Sequence, residues 1–209
     1  MTVKGRFALS RASVSDLPEI SRLQYKCFPQ FIREIFMGCK TEADLPRIIN
    51  KYTAIMSEDL HDIWIKVVDT KTGKIAAASN WKIHPNGASA SSDDQPAEWL
   101  EGEELEKSRK TLESLNEARR KANPGGYVHL HICFTDPDYR RQGAGGMMMQ
   151  WGCDVADQLF LPGWIEASPE GNHLYKLHGF YDFGSAAGGL SGTNMKRDAR
   201  KTVIQGGKP

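Results

Sequence analysis

His129-Leu130-His131 puts two imidazoles one residue apart inside the run Tyr127–Thr135, where Val128, Leu130, Ile132 and Phe134 alternate with His129, His131 and Cys133. Alternate positions of an extended chain share a face. The run therefore predicts a strand with an apolar face and an opposite face carrying two rings and a thiol. An imidazole with an ordinary pKa of roughly 6.5 can take a proton near neutral pH. His129 and His131 are candidate general bases on that account; the competing reading has them meet solvent or satisfy backbone groups. Cysteine beside histidine is also a nucleophilic pairing, which brings Cys133 into consideration.

The run leads straight into Asp136-Pro-Asp-Tyr-Arg-Arg-Gln-Gly-Ala-Gly-Gly146 and then into a helical pattern from Ala144 to Phe160. Unpaired N–H groups at a helix N-terminus, backed by the helix dipole, form an anion site, and glycines let a pyrophosphate approach the backbone. A phosphorylated ligand is expected there. Neither common nucleotide motif fits. Gly143-x-Gly145 is followed by Met148 where a dinucleotide fingerprint needs a third glycine, and neither Gly73-Lys74-Ile75 nor Gly207-Lys208-Pro209 has a P-loop's hydroxyl residue.

Other elements must hold these groups in place. Phe7–Arg11 reads as a strand, followed by a capped helix from Leu17 to Cys27. The cluster Phe28, Phe31, Ile32, Ile35 and Phe36 then precedes a second helix over about Glu42–Met56. Trp64–Val68 and Lys74–Ile83 form a hairpin around Gly73. Trp164–Ala167 is a further strand, Ser168-Pro169-Glu170 opens a helix, and Phe180–Gly184 closes the pattern. His84–Gly126 breaks the rhythm. It is charged, with sparse Leu100, Leu105, Leu112 and Leu115, and reads as a helical surface insertion whose charges form a solvated face. Lys196–Pro209 is expected to be a frayed basic tail.

With 209 residues, 40% hydrophobic and 25% charged, the chain suits one domain spanning 1–209. A formal charge of +1 creates no field that would argue for nucleic acid or an anionic membrane as partner. No apolar run approaches the roughly 18 residues of a membrane span. The first ten residues lack a signal peptide's apolar core. Cys27, Cys39, Cys133 and Cys153 are widely spaced, which predicts reduced thiols, no metal site and a cytoplasmic setting.

Arg140-x-x-Gly143-x-Gly145 resembles the R/Q-x-x-G-x-G/A signature of the GNAT superfamily of N-acetyltransferases. Leu130-x-Ile132 and Pro137-x-Tyr139 before it, and Tyr175-Lys-Leu-His-Gly-Phe180 after it, resemble further elements of that family. His129-Leu-His131 is more specifically similar to the H-x-H of serotonin (arylalkylamine) N-acetyltransferases, and the insertion with Glu166-Ala-Ser-Pro169 resembles fungal members. The resemblance implies an α/β (α+β) GNAT fold: a mixed, mostly antiparallel sheet flanked by helices and splayed between its fourth and fifth strands, Tyr127–Thr135 and Trp164–Ala167.

It also implies roles. Acetyl-CoA is the co-substrate, its pyrophosphate held by Arg140, Arg141, Gln142, Gly143, Ala144, Gly145 and Gly146. Its pantetheine arm meets the backbone of Cys133, Phe134 and Thr135, and Ser168 stands where many relatives have asparagine. A backbone N–H near Cys133 stabilises the oxyanion. An aliphatic amine arrives as an ammonium with a pKa near 10.4, so His129 or His131 must take its proton, and Tyr175 gives one to the departing thiolate. Transfer is direct, which leaves Cys133 a backbone role. The expected acceptor is a small primary amine, arylalkylamines among the candidates, with Tyr25, Phe28, Phe31 and Phe36 near its pocket. The alternatives are a protein lysine or N-terminus, and a CoA-binding sensor or scaffold without catalysis. The expected oligomeric state is monomer or homodimer.

Overall fold

The computed structural model describes residues 2–87 and 95–200. Strands β1 (Thr2–Lys4), β2 (Phe7–Arg11), β3 (Asp62–Asp69), β4 (Ile75–His84), β5 (Tyr127–Thr135), β6 (Gly163–Ala167), β7 (Tyr181–Ser185) and β8 (Thr193–Arg197) form one sheet. Its order is β1-β2-β3-β4-β5-β6-β8-β7. The β5–β6 pair is parallel and every other pair is antiparallel. Helices α1 (Leu17–Cys27), α2 (Gln30–Ile32), α3 (Leu45–Glu58), α4 (Gly102–Ala122), α5 (Ala144–Gln158) and α6 (Asn172–Leu177) flank it.

Each face of the sheet has its own core. On one, Met148, Met149, Cys153 and Ala156 of α5 pack on Leu9, Ile65, Val67, Trp81, Val128, Leu130 and Ile165. On the other, Leu17, Ile20 and Leu23 of α1 and Leu45, Ile48 and Tyr52 of α3 cover Trp64, Ala78, Ile132 and Phe134. Strict alternation in β3, with Trp64 on one side and Ile65 and Val67 on the other, allows both faces to be apolar.

Parallel pairing of β5 with β6 covers only Val128–Leu130 against Gly163–Ile165. Beyond Leu130 the strands part: β5 continues on β4 as far as Thr135, and β6 continues on β8 as far as Ala167. The expected splay between these two strands is present. They are the fifth and sixth here because β1 precedes the strand read first from the sequence.

Two expectations need correction. The strand read as closing the pattern, β7, is not the last: β8 follows it in the chain and lies between β6 and β7 in the sheet. Thr193-Asn-Met-Lys-Arg197 shows no apolar alternation, yet Met195 is fully buried and Arg197 nearly so. Consequently the basic tail is ordered sheet at Lys196 and Arg197, and its residues 201–209 lie outside the described residues. The insertion is helical as expected, but α4 is not a merely solvated face. Ser108, Thr111, Leu112, Leu115 and Arg119 are buried. Ser108 Oγ donates to the Ile35 carbonyl at 2.7 Å, the Gly188 N–H donates to Ser114 Oγ at 3.1 Å, and Lys196 Nζ donates to the Ala122 carbonyl at 2.9 Å. Residues 88–94 of the insertion lie outside the described residues.

Candidate active site

The β5 strand changes face partway along. Asn80 pairs with Ile132 and Trp81 with Leu130, so His131 is the extra residue of a β-bulge. Before the bulge, Val128 and Leu130 point to the α5 core; after it, Cys133 points there, and Ile132 and Phe134 point to the α1/α3 core. The single apolar face expected for Val128, Leu130, Ile132 and Phe134 is therefore two half-faces. A bulge leaves no mark in hydrophobic periodicity when both faces of the sheet are buried, which is why the sequence did not reveal it. Its consequence is chemical: Cys133 and the histidines face opposite sides of the sheet.

His129 and His131 remain together, their ring centroids 5.4 Å apart and edge to face. They are not equivalent. His129 lies opposite Lys82 on β4 and Trp164 on β6, within the closed part of the sheet, and is fully buried. His131 sits where the strands part and is only half-buried. Burial first, then the charges of Lys82, His129, Arg119 and Lys51, hold His131 well below its ordinary pKa of 6.5. It is neutral near pH 7, with a lone pair to offer.

Two charged residues that the sequence reading did not single out complete this side. Glu166 Oε2 is 2.8 Å from His129 Nε2, and Glu166 Oε1 accepts from Arg119 Nε at 3.1 Å and from Trp164 Nε1 at 2.5 Å. The available signal was Glu166 within the short buried strand Trp164-Ile-Glu-Ala167, since a carboxylate in such a strand needs a partner. Its partner, Arg119, comes from the insertion.

On the α5 face, Tyr175 of α6 belongs to the core and is 8% exposed. Burial, with the Cys133 thiol nearby, lifts its phenol well above the ordinary 10, so it stays protonated. Burial alone pushes the Cys133 thiol up to about 12. A thiol so rarely ionised makes a poor nucleophile. Ser168 is exposed, and its Oγ accepts from the Gly171 N–H at 3.3 Å, capping the turn that precedes α6.

The loop ahead of α5 is held from several sides. Asp136 accepts from the Asp138 N–H and from Lys26 Nζ, Arg140 Nε donates to the Thr135 carbonyl at 3.3 Å, and Gln142 Nε2 donates to the Asp138 carbonyl at 3.1 Å. Arg141 (φ 61°) and Gly143 (φ 99°) are both left-handed. Such a backbone, leading into a helix, turns successive N–H groups toward one concave spot. Among the described residues no side chain caps α5 at Gly143. Gly145 packs beside Leu174 and Thr135, Gly146 lies near His178, and Ala144 is buried. The Arg140, Arg141 and Gln142 side chains are exposed, in reach of an anion at this helix end. Phe134 packs edge to face on Phe28 at 5.8 Å, and the Arg33 guanidinium lies 3.8 Å above the Tyr25 ring, while Phe31 is exposed.

A family model described as acetyltransferase (GNAT) family matches residues 30–180. An uncharacterized N-acetyltransferase of Schizosaccharomyces pombe is 31% identical over 58 residues, 28% of this chain and 25% of that protein, so the match spans about a quarter of the relative's length. An insect putative arylalkylamine N-acetyltransferase from Aedes aegypti shares the fold with a TM-score of 0.64 at 10% identity, over 92% of this chain and 87% of that one. A Corynebacterium glutamicum structure described as histone acetyltransferase HPA2 and related acetyltransferase gives 0.60 at 17% identity, over 95% and 99%.

Proposed function

The chain belongs to the acetyltransferase (GNAT) family and is an N-acetyltransferase, and from that premise we propose that it transfers acetyl directly from acetyl-CoA to the primary amine of a small molecule. Arylalkylamines are the first class to test. One observation carries this reading: His131 stands in β5 just past the point where β5 and β6 part, and Tyr175 lies beside Cys133, two residues further along β5 on the other face of the sheet.

In this proposal the coenzyme's pyrophosphate rests on the uncapped N-terminus of α5, with Arg140 to Gly146 around it, and its pantetheine arm runs along the backbone of Cys133 to Thr135. Ser168 Oγ, which accepts from the Gly171 N–H in its turn, keeps its own O–H to donate to the arm. The amine enters on the histidine side. Neutral His131 takes a proton from the ammonium, directly or through water, and the freed amine attacks the thioester carbonyl. A backbone N–H near Cys133 receives the developing oxyanion. As the tetrahedral adduct collapses, the C–S bond breaks, protonated Tyr175 gives its proton to the thiolate, and the second proton of the former amine nitrogen leaves to the tyrosinate, directly or through water, which restores Tyr175 and yields the neutral amide. The buried, unionised thiol of Cys133 supports direct transfer over an acetyl-cysteine intermediate. The proposed setting is the cytoplasm, where the four unpaired cysteines would stay reduced.

Thiol release from acetyl-CoA, measured against arylalkylamines, polyamines, amino acids and peptides, tests this proposal. The expected result is the highest kcat/KM on an arylalkylamine. Turnover on peptides alone would make the acceptor a protein. Tight coenzyme binding with no turnover on any member would make the chain a non-catalytic binder.

A further inference from the structure

Glu166 has both oxygens engaged, one by His129 and one by Arg119 and Trp164, and its side chain is only 16% exposed. We propose that Glu166 and Arg119 are positioning residues for the His129–His131 pair, so that the charged insertion helix α4 is a working part of the catalytic centre. This rests on the acetyl transfer proposed above.

The tautomer follows from the charges. Burial would raise the Glu166 carboxyl, but the Arg119 charge, with the hydrogen bonds from His129 and Trp164, outweighs it and holds the group well below the ordinary 4.5. An ionised carboxylate can only accept, so His129 Nε2 must carry the hydrogen. Burial and the Arg119 charge keep His129 below 6.5 against the pull of Glu166. A neutral ring protonated at Nε2 has a bare Nδ1. That nitrogen is buried and has no hydrogen-bond partner among the described residues, and it belongs to the ring in edge-to-face contact with His131.

The pair's basicity is then set by what surrounds it. Lys82 and His84 face it from β4, Tyr127 from β5, Glu166 from β6 and Arg119 from α4, while the Lys51 charge of α3 acts on His131. Lys82 is offset by Asp62, whose Oδ2 is 4.0 Å from its Nζ. Glu166 is the carboxylate bonded to the pair, and it favours a proton there; Arg119 opposes one while fixing the carboxylate's direction. Arg119 can do this because α4 is tied down at Ser108, Ser114 and Ala122. Partners that orient a metal-ligating imidazole from one step behind typically matter by about 10- to 100-fold, and an imidazole that moves a proton depends on its orientation in the same way.

The test compares pH profiles of kcat/KM for Glu166→Gln and Arg119→Gln with that of the unaltered enzyme, alongside ring nitrogen-15 spectra of the unaltered protein. Glu166→Gln is expected to lower kcat about 10- to 100-fold, with the KM for acetyl-CoA nearly unchanged, and to move the acidic limb to lower pH. Arg119→Gln should move that limb to higher pH. A merely structural role would lower both activities without opposite shifts, and limbs that stay put or move together would overturn the proposal. The spectra stand independently of either variant's folding and of any acceptor. His129 protonated at Nε2 near pH 7 supports the proposal, and protonation at Nδ1 refutes it. Absence of turnover on every amine would instead count against the acetyl transfer itself.

Discussion

The Tyr175 ring lies against Gly171 so closely that a Cβ there would stand 2.7 Å from Tyr175 Cε2 and 2.9 Å from its Oη. The glycine thus sets where the phenol can sit. Gly171→Ala should push the ring aside, costing about 1–3 kcal/mol through overpacking. Thermal unfolding should record that loss, and kcat should fall more than the KM for acetyl-CoA rises. An unchanged kcat would show that the phenol's position is not critical.

Tyr175→Phe removes the proton and leaves the ring. Turnover should fall by about 10²–10⁴, the usual worth of a positioned acid. Calorimetric affinity for CoA should stay nearly the same, because the phenol's proposed task begins only when the thiolate departs. Full turnover in this variant would remove Tyr175 from the acid role.

Gly143 has φ 99° and no atom within 4 Å of where its Cβ would be. The space is open, so the difficulty for another residue is the backbone. A β-branched residue at positive φ is an outlier costing on the order of 1–3 kcal/mol. Gly143→Val should relax the loop out of that conformation and abolish CoA binding by calorimetry, while far-ultraviolet circular dichroism stays close to that of the parent.

Replacing both His129 and His131 by glutamine leaves the ammonium to lose its proton to solvent. The acidic limb of kcat/KM should then climb toward the amine's own pKa, near 10.4 for a lysine-like acceptor. A limb that stays where it was would mean that neither ring is the base.

Arg197 donates from both terminal nitrogens to Asp157, at 2.8 and 2.7 Å, and so ties β8 to the end of α5. That pairing holds the Asp157 carboxyl below its ordinary 3.8. A folded-state pKa below the unfolded value means that the stabilisation is complete above about pH 4 and fades as pH falls through the lowered value. Asp157→Asn should cost about 3 kcal/mol at pH 7, the low end for breaking a buried pair, because Asp157 keeps 23% of its side chain exposed. Urea unfolding should also show a smaller difference between variant and parent on the acidic side than at neutral pH.

Much of the scaffold was legible in local chemistry. Helix α1 spans Leu17–Cys27 as read, since a polar start, an early proline and a regular apolar stripe are signals that neighbouring residues supply themselves. The glycine-rich loop was legible for a similar reason: left-handed turns and uncapped N–H groups are properties of a few consecutive residues. β8 was not, because its burial depends on insertion between two other strands and not on alternation of its own.

What the sequence by itself determined was the inventory: two histidines, a phenol and a glycine-rich loop leading into a helix, in the order that the GNAT fold requires. Tertiary structure alone decided their relations. A bulge at His131, whose neighbours on β4 lie some fifty residues earlier, sent Cys133 and the histidines to opposite faces of the sheet. It also left His131 half-buried at the parting of β5 and β6 while sealing His129 behind it. Glu166 and Arg119 came together across 47 residues of chain, because burying a carboxylate is tolerable only where a cation and a ring N–H meet it, and those partners arrive from whichever elements the packing brings there.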